Sequence, residues 1–235
     1  MREAILTMIA CLLIAGQMFA LEAEIAKKSG DVKVRRGVEE HWENAGVGML
    51  LKEIDTIITG EAGDVILKIE DGPDFRLGAN AILDISDLRK ISKQQLYVYL
   101  TQQKLNQIEK RDEKSNLNIT NVSVVHGSSK DTVDSDILSP EEDMWLKEKN
   151  GVKALYDQSF YPNTIIKLHR MFGRYADAED CGELNYYLGH SLEQMEQTGQ
   201  AVDAYKKAVS QGETDSCGAN GWSEAARMCL ERLKE

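Results

Sequence analysis

The sequence is poor in the residues that assemble reaction centres. Its four histidines are His41, His126, His169 and His190, and no two share the HExxH spacing that sets paired imidazoles on one helix face. There is no GxSxG elbow, no phosphate-binding loop and no GxGxxG turn. The acidic stretch 131–143 lacks the glycine and the ligand spacing of a calcium loop. No catalytic residue, metal or cofactor is therefore expected. Basic residues are outnumbered as well: 28 Lys and Arg against 39 Asp and Glu give a formal net charge of -11. That balance repels phosphates, so nucleic acid and anionic lipid are poor partners. Of four cysteines, Cys11 lies in the apolar start, leaving Cys181, Cys217 and Cys229 with no CxxC pair and no histidine cluster beside them. Such spacing does not suit zinc. An odd number of cysteines in a disulfide-permissive compartment reads as one bridge and one thiol. Beyond residue 21 no apolar run is long enough to cross a bilayer.

What is present starts with Arg2 and Glu3, an apolar run from Ala4 to Gly16, and the small residue Ala20 after Met18-Phe19. This order predicts a secretory signal peptide within residues 1–23, cleaved after Ala20 or Ala23. The alternative is an uncleaved anchor, because Ala4 to Leu21 approaches a membrane-spanning length. Either way the chain is expected to be exported, periplasmic or on the cell surface, and tethered to the membrane if the anchor persists.

Two further segments differ in hydrophobic period. Over 24–127 the pattern is that of short strands: Val32/Val34, Val65–Ile69, Phe75/Leu77, Leu83/Ile85, Leu96–Leu100 and Val122–Val125. Asp71-Gly72 sits where a tight hairpin turn needs positive φ. Residues 102–116 fit a long hairpin or a short helix. Residues 128–139 are polar and Asp-rich with no apolar period, and are expected to be a linker. Ser139-Pro140-Glu141-Glu142 then joins an N-cap, a first-turn proline and a capping-box acid. From 140 to 235 the period is helical, with helices expected over 140–158, 163–179, 183–197, 199–211 and 221–234. The fold class is thus α+β in two domains, all-β followed by all-α.

Residues 24–90 carry Gly30-Asp31-Val32-Lys33-Val34, Trp42, Ala45, Gly48, Leu50, Ile54-Asp55-Thr56-Ile57, Thr59-Gly60, Val65-Ile66-Leu67, Asp71-Gly72, Phe75-Arg76-Leu77 and Leu83 in order. This succession resembles the FecR domain, a β-rich module of bacterial envelope proteins. Val124-Val125-His126-Gly127-Ser128 is similar to that family's later segment. Ile54 departs from it, standing where a glycine is usual. In the second module Leu188, Gly189, Leu192, Ala201, Tyr205 and Ala208 fall at the offsets of a tetratricopeptide repeat. Asn185 stands where that pattern has a large aromatic, and Glu213 where it has proline.

The repeat resemblance implies a concave surface built from first helices. It would be lined by Glu183, Tyr186, His190, Glu193 and Gln194, with Asn220, Ser223 and Arg227 from the next repeat. The alternative is a solvated face with no ligand. Cys181 and Cys217 lie about one repeat apart, so stacked repeats would bring them together as a disulfide, leaving Cys229 reduced. The two resemblances together imply a non-enzymatic binding or scaffold protein of the bacterial envelope. Its helical repeats would hold another envelope protein, and its β module a cell-wall or surface component. The rivals are a part in FecR-type anti-sigma signalling and, from a different class, a cell-wall polysaccharide-acting enzyme.

Overall fold

The computed structural model describes residues 21–70, 72–113, 140–176, 178, 180–214, 217 and 221–234. The chain divides into two compact units, one ending at Arg89 and one beginning at Lys90. The first is β and the second is helical, so the α+β arrangement of the chain is plain.

The β unit has eight strands: β1 (Glu22–Ser29), β2 (Val32–Arg35), β3 (Trp42–Asn44), β4 (Leu50–Lys52), β5 (Thr56–Thr59), β6 (Asp64–Ile69), β7 (Phe75–Leu77) and β8 (Ile82–Asp84). They make two antiparallel four-stranded sheets in the orders β4-β1-β6-β7 and β3-β2-β5-β8. Alternate residues are buried: Ala23 and Ile25, Val32 and Val34, Val65, Leu67 and Ile69, Phe75 and Leu77. A half-apolar sheet face stays buried only when another layer covers it, and here each sheet supplies the other's cover. The chain crosses from one sheet to the other at Gly30, between β1 and β2. Gly30 has φ +64°, and a Cβ there would sit 2.1 Å from the Ala62 carbonyl oxygen. No other residue fits that crossing. A 3-10 turn, Ile85–Leu88, follows β8 and buries both of its end residues.

One buried charge organises the turns of this unit. Asp55, 3% exposed, accepts hydrogen bonds from the Lys52 amide (2.9 Å), the Gly37 amide (3.0 Å) and Arg36 Nη1 (2.8 Å). Arg36 also reaches Glu43 Oε1 at 2.7 Å and the Leu50 carbonyl at 2.8 Å. Burial pushes the Asp55 carboxyl up, but the two amides and the guanidinium more than offset it and hold it below the usual range.

The helical unit consists, among the described residues, of α1 (Lys93–Glu113), α2 (Pro140–Asp157), α3 (Tyr161–Arg174), α4 (Glu183–Gln194), α5 (Thr198–Gly212) and α6 (Gly221–Arg232). Three-residue connections join α2 to α3 and α4 to α5, which makes each pair antiparallel. Leu96 and Leu100 of α1, Val152 of α2, Ile165, Leu168 and Met171 of α3, Leu184, Tyr187, Leu188 and Leu192 of α4, Ala201, Tyr205 and Ala208 of α5, and Ala226 of α6 share one core.

Several expectations need correction. Leu96–Leu100 is helix and not strand: Leu96 and Leu100 are buried one turn apart, while Tyr97 and Val98 are exposed. A capping box starts this helix, with the Gln95 amide donating to Ser92 Oγ (3.2 Å) and the Ser92 amide to Gln95 Oε1 (2.8 Å). The described residues 90–113 therefore fall in the helical unit, although the β module was expected to extend to 127. The Asp71-Gly72 hairpin joins β6 to β7, yet Gly72 is not among the positive-φ glycines, because a five-residue connection replaces the two-residue turn. The helix expected over 163–179 ends at Arg174. Asp177, Glu179 and Asp180 follow, and negative charge at a helix C-terminus is unfavourable. Strand 122–125, linker 128–139 and the signal segment up to residue 20 lie outside the described residues.

Asp55→Ala removes the acceptor of two part-buried amides and the partner of Arg36. Arg36 retains Glu43 and some solvent, which limits its share of the loss. The variant is expected to lose about 2–3 kcal/mol in denaturant unfolding of the full chain. An unchanged midpoint would show that the carboxylate is dispensable.

Candidate protein-binding face of the helical unit

The starting point of the face is α4. Asp180 begins it, accepting from the Gly182 amide at 3.1 Å and the Leu184 amide at 2.6 Å. Leu184, Leu188 and Leu192 then enter the core, which leaves Glu183, Tyr186, His190, Glu193 and Gln194 along the opposite stripe. The helix lies hard against α5 because residue 189 is glycine: a Cβ there would meet the Tyr205 ring at 2.6 Å. Tyr205 is fully buried, so its ring has no room to swing away.

Most of the expected face residues turn out to be engaged. Glu183 pairs with Lys149 of α2 at 2.6 Å and accepts from the Tyr187 hydroxyl at 2.7 Å. Tyr186 and His190 are half-buried, with rings stacked 6.4 Å apart. His190 Nδ1 is hydrogen-bonded to the Tyr156 hydroxyl at 3.1 Å, and its Nε2 lies 3.4 Å from Gln194. Glu193 takes both arms of Arg232, at 2.5 and 3.0 Å, together with the Tyr205 hydroxyl at 2.9 Å. Gln194 is exposed. Ser223 is buried, Arg227 pairs with Glu213 and Glu224, and Asn220 lies outside the described residues.

Around these residues stands an aromatic cluster that the helical pattern of one segment does not reveal. Tyr156 of α2 stacks on Tyr187 at 4.3 Å. Tyr161 of α3 meets the His190 ring at 5.8 Å, and Trp222 of α6 meets Tyr186 at 5.4 Å. The row Tyr161, His190, Tyr186, Trp222 thus draws on three helices, and all four rings keep some exposure. Burial lowers the His190 pKa; the charge of Glu193 opposes this and that of Arg232 adds to it, so the imidazole is neutral near pH 7. Burial raises Tyr156 well above an ordinary phenol. A neutral, ring-lined surface of this kind can offer apolar contact and hydroxyl hydrogen bonds to a protein partner.

Cys181 and Cys217 form a disulfide with Cα atoms 5.4 Å apart, tying the start of α4 to the segment between α5 and α6. Cys229 is free and packs against the core. A separate cleft of about 210 Å³ opens among Trp145, Phe172, Tyr175, Asn185 and Lys207. Asn185, on its wall, donates to Gln211 Oε1 at 2.7 Å. Trp42 of the β unit is half-buried beneath the Arg35 guanidinium, 5.4 Å from its ring centre. Among the described residues no cluster of three or more His, Cys, Asp or Glu could hold a metal, and no helix is long and apolar enough to cross a membrane.

No protein-family model, no curated protein and no solved structure matches the chain.

The bridge closes a loop of sequence separation 36. Replacing both Cys181 and Cys217 by serine is expected to cost about 2–5 kcal/mol of stability under oxidising conditions. The same unfolding midpoint with and without reductant would contradict a structural role for the bridge.

Proposed function

We propose that the chain is a non-enzymatic adaptor of the bacterial cell envelope, in which a FecR-like β module is joined to a tetratricopeptide-like helical module that binds another protein. The observation that carries this reading is the row of half-exposed rings on α3, α4 and α6. Interfaces favour tyrosine and tryptophan because they offer large contact area at small entropic cost. The close approach of α4 and α5 over Gly189 is the geometry a tetratricopeptide pair requires. The FecR-like reading is supported by the roles its motif residues play: Gly30 permits the crossover, and Asp55 holds the adjoining turns.

Export is part of the same proposal, and β1 bears on where a signal peptide would end. Ala23 is 1% exposed and pairs with Leu51 and Ile69. Cleavage after Ala23 would remove a core residue, whereas cleavage after Ala20 leaves β1 whole. The mature protein is therefore expected to begin at Leu21.

Photocrosslinking in cells tests both parts. A crosslinker at exposed Gln194 should yield a discrete adduct in the envelope fraction, and one at exposed Asp203 of α5 should not. N-terminal sequencing of the adduct should read from Leu21. No adduct at Gln194 would contradict protein binding by this face. Intact Met1 on cytoplasmic protein would contradict export.

A further inference from the structure

His169 of α3 is a partly buried imidazole in a poor place for a charge. Its Nε2 is buried and has no hydrogen-bond partner. The Tyr99 ring of α1 stands against it at 6.1 Å and 65°. Lys207 of α5 supplies the charge that acts on it, and that charge disfavours a second cation beside it. A contact at 6.1 Å is at the outer limit of a cation–π interaction, so Tyr99 offers a protonated ring little compensation.

The helix on the other side of this contact is lightly held. Within the described part of α1, Leu96 and Leu100 alone are fully buried. The ion pair of Lys93 with Glu196 is exposed on both sides, and such pairs contribute little. Helix α1 also begins four residues after Arg89, the last residue of the β unit, so it is the first helix the chain enters on leaving that unit.

We propose that His169 is a proton-sensitive latch for α1: neutral, it forms the floor on which Tyr99 seats the helix, and protonated, it releases it. Burial first and Lys207 second depress the docked imidazole below its ordinary value. The undocked state then binds the proton more readily, so docking is complete above the ordinary histidine pKa and is lost as pH falls below it. Each unit of depression corresponds to about a tenfold change in the docking equilibrium. His190 is depressed too, but it lies on α4 against Tyr156, Tyr161 and Tyr186, and its protonation would not act on α1 alone.

Hydrogen exchange on the full-length protein tests the latch at pH 7.5 and 5.5, corrected for intrinsic rates. Amides 97–104 of α1 should lose protection severalfold relative to those of α4 at the lower pH. His169→Phe, which keeps a ring but cannot be protonated, should abolish that difference. Lys207→Gln, at an exposed position, should reduce it and serves as the deciding variant if His169→Phe does not fold. The proposal is overturned if α1 keeps its protection at pH 5.5, if α1 and α4 lose protection together, or if neither variant changes the loss.

Discussion

The arrangement of the helical unit depends on a missing side chain. Gly189 lets the Tyr205 ring lie directly on the backbone of α4, where a single added methyl would overlap it at 2.6 Å. From that contact the hydroxyl of Tyr205 reaches Glu193, and Glu193 fixes Arg232 at the end of α6. Tyr205 also abuts Tyr186 at 6.0 Å, which in turn meets Trp222. One close approach thus sets the positions of three helices and of the rings between them. The disulfide from Cys181 to Cys217 adds a covalent tie at the start of the same helix, where Gly182 is pressed against the Ala208 carbonyl.

The β unit solves a different problem. Strands of three or four residues bury little surface each, so the turns between them must be held by other means. Asp55 does this for the β2–β3 and β4–β5 turns together. Thr59, fully buried, does it elsewhere, donating to the Gly78 carbonyl at 2.6 Å and accepting from the Ala81 amide at 2.9 Å. Buried polar groups are tolerable here because each is satisfied by main-chain partners.

The sequence was most legible where one residue pattern decides the structure. The helices from Pro140 onward follow from apolar spacing and caps, and β6 and β7 from alternation around a turn. Strands β3 and β4 were visible only as pieces of a motif, since three residues cannot show a period. Leu96-Tyr97-Val98-Tyr99-Leu100 satisfies both periods, and the signal that separates them, the Ser92 and Gln95 capping box, lies just outside the run. The face on α4 was legible in outline but not in environment. A single helix shows Tyr186 and His190 pointing away from Leu184 and Leu188; it cannot show Tyr156, Tyr161 and Trp222 arriving from three other helices to half-bury them.

The proposed adaptor therefore presents rings already packed on one another and hydrogen-bonded, and such preorganisation lowers the ordering cost of binding. All of it rests on α4 and α5 meeting over a glycine. Gly189→Val is the most direct test, with helix loss followed by circular dichroism in denaturant. Valine gains a little helix propensity, but its branched side chain must displace a fully buried ring, so a net destabilisation of about 2 kcal/mol or more is expected. A variant as stable as the parent would show that α4 and α5 do not meet at this position and would contradict the account.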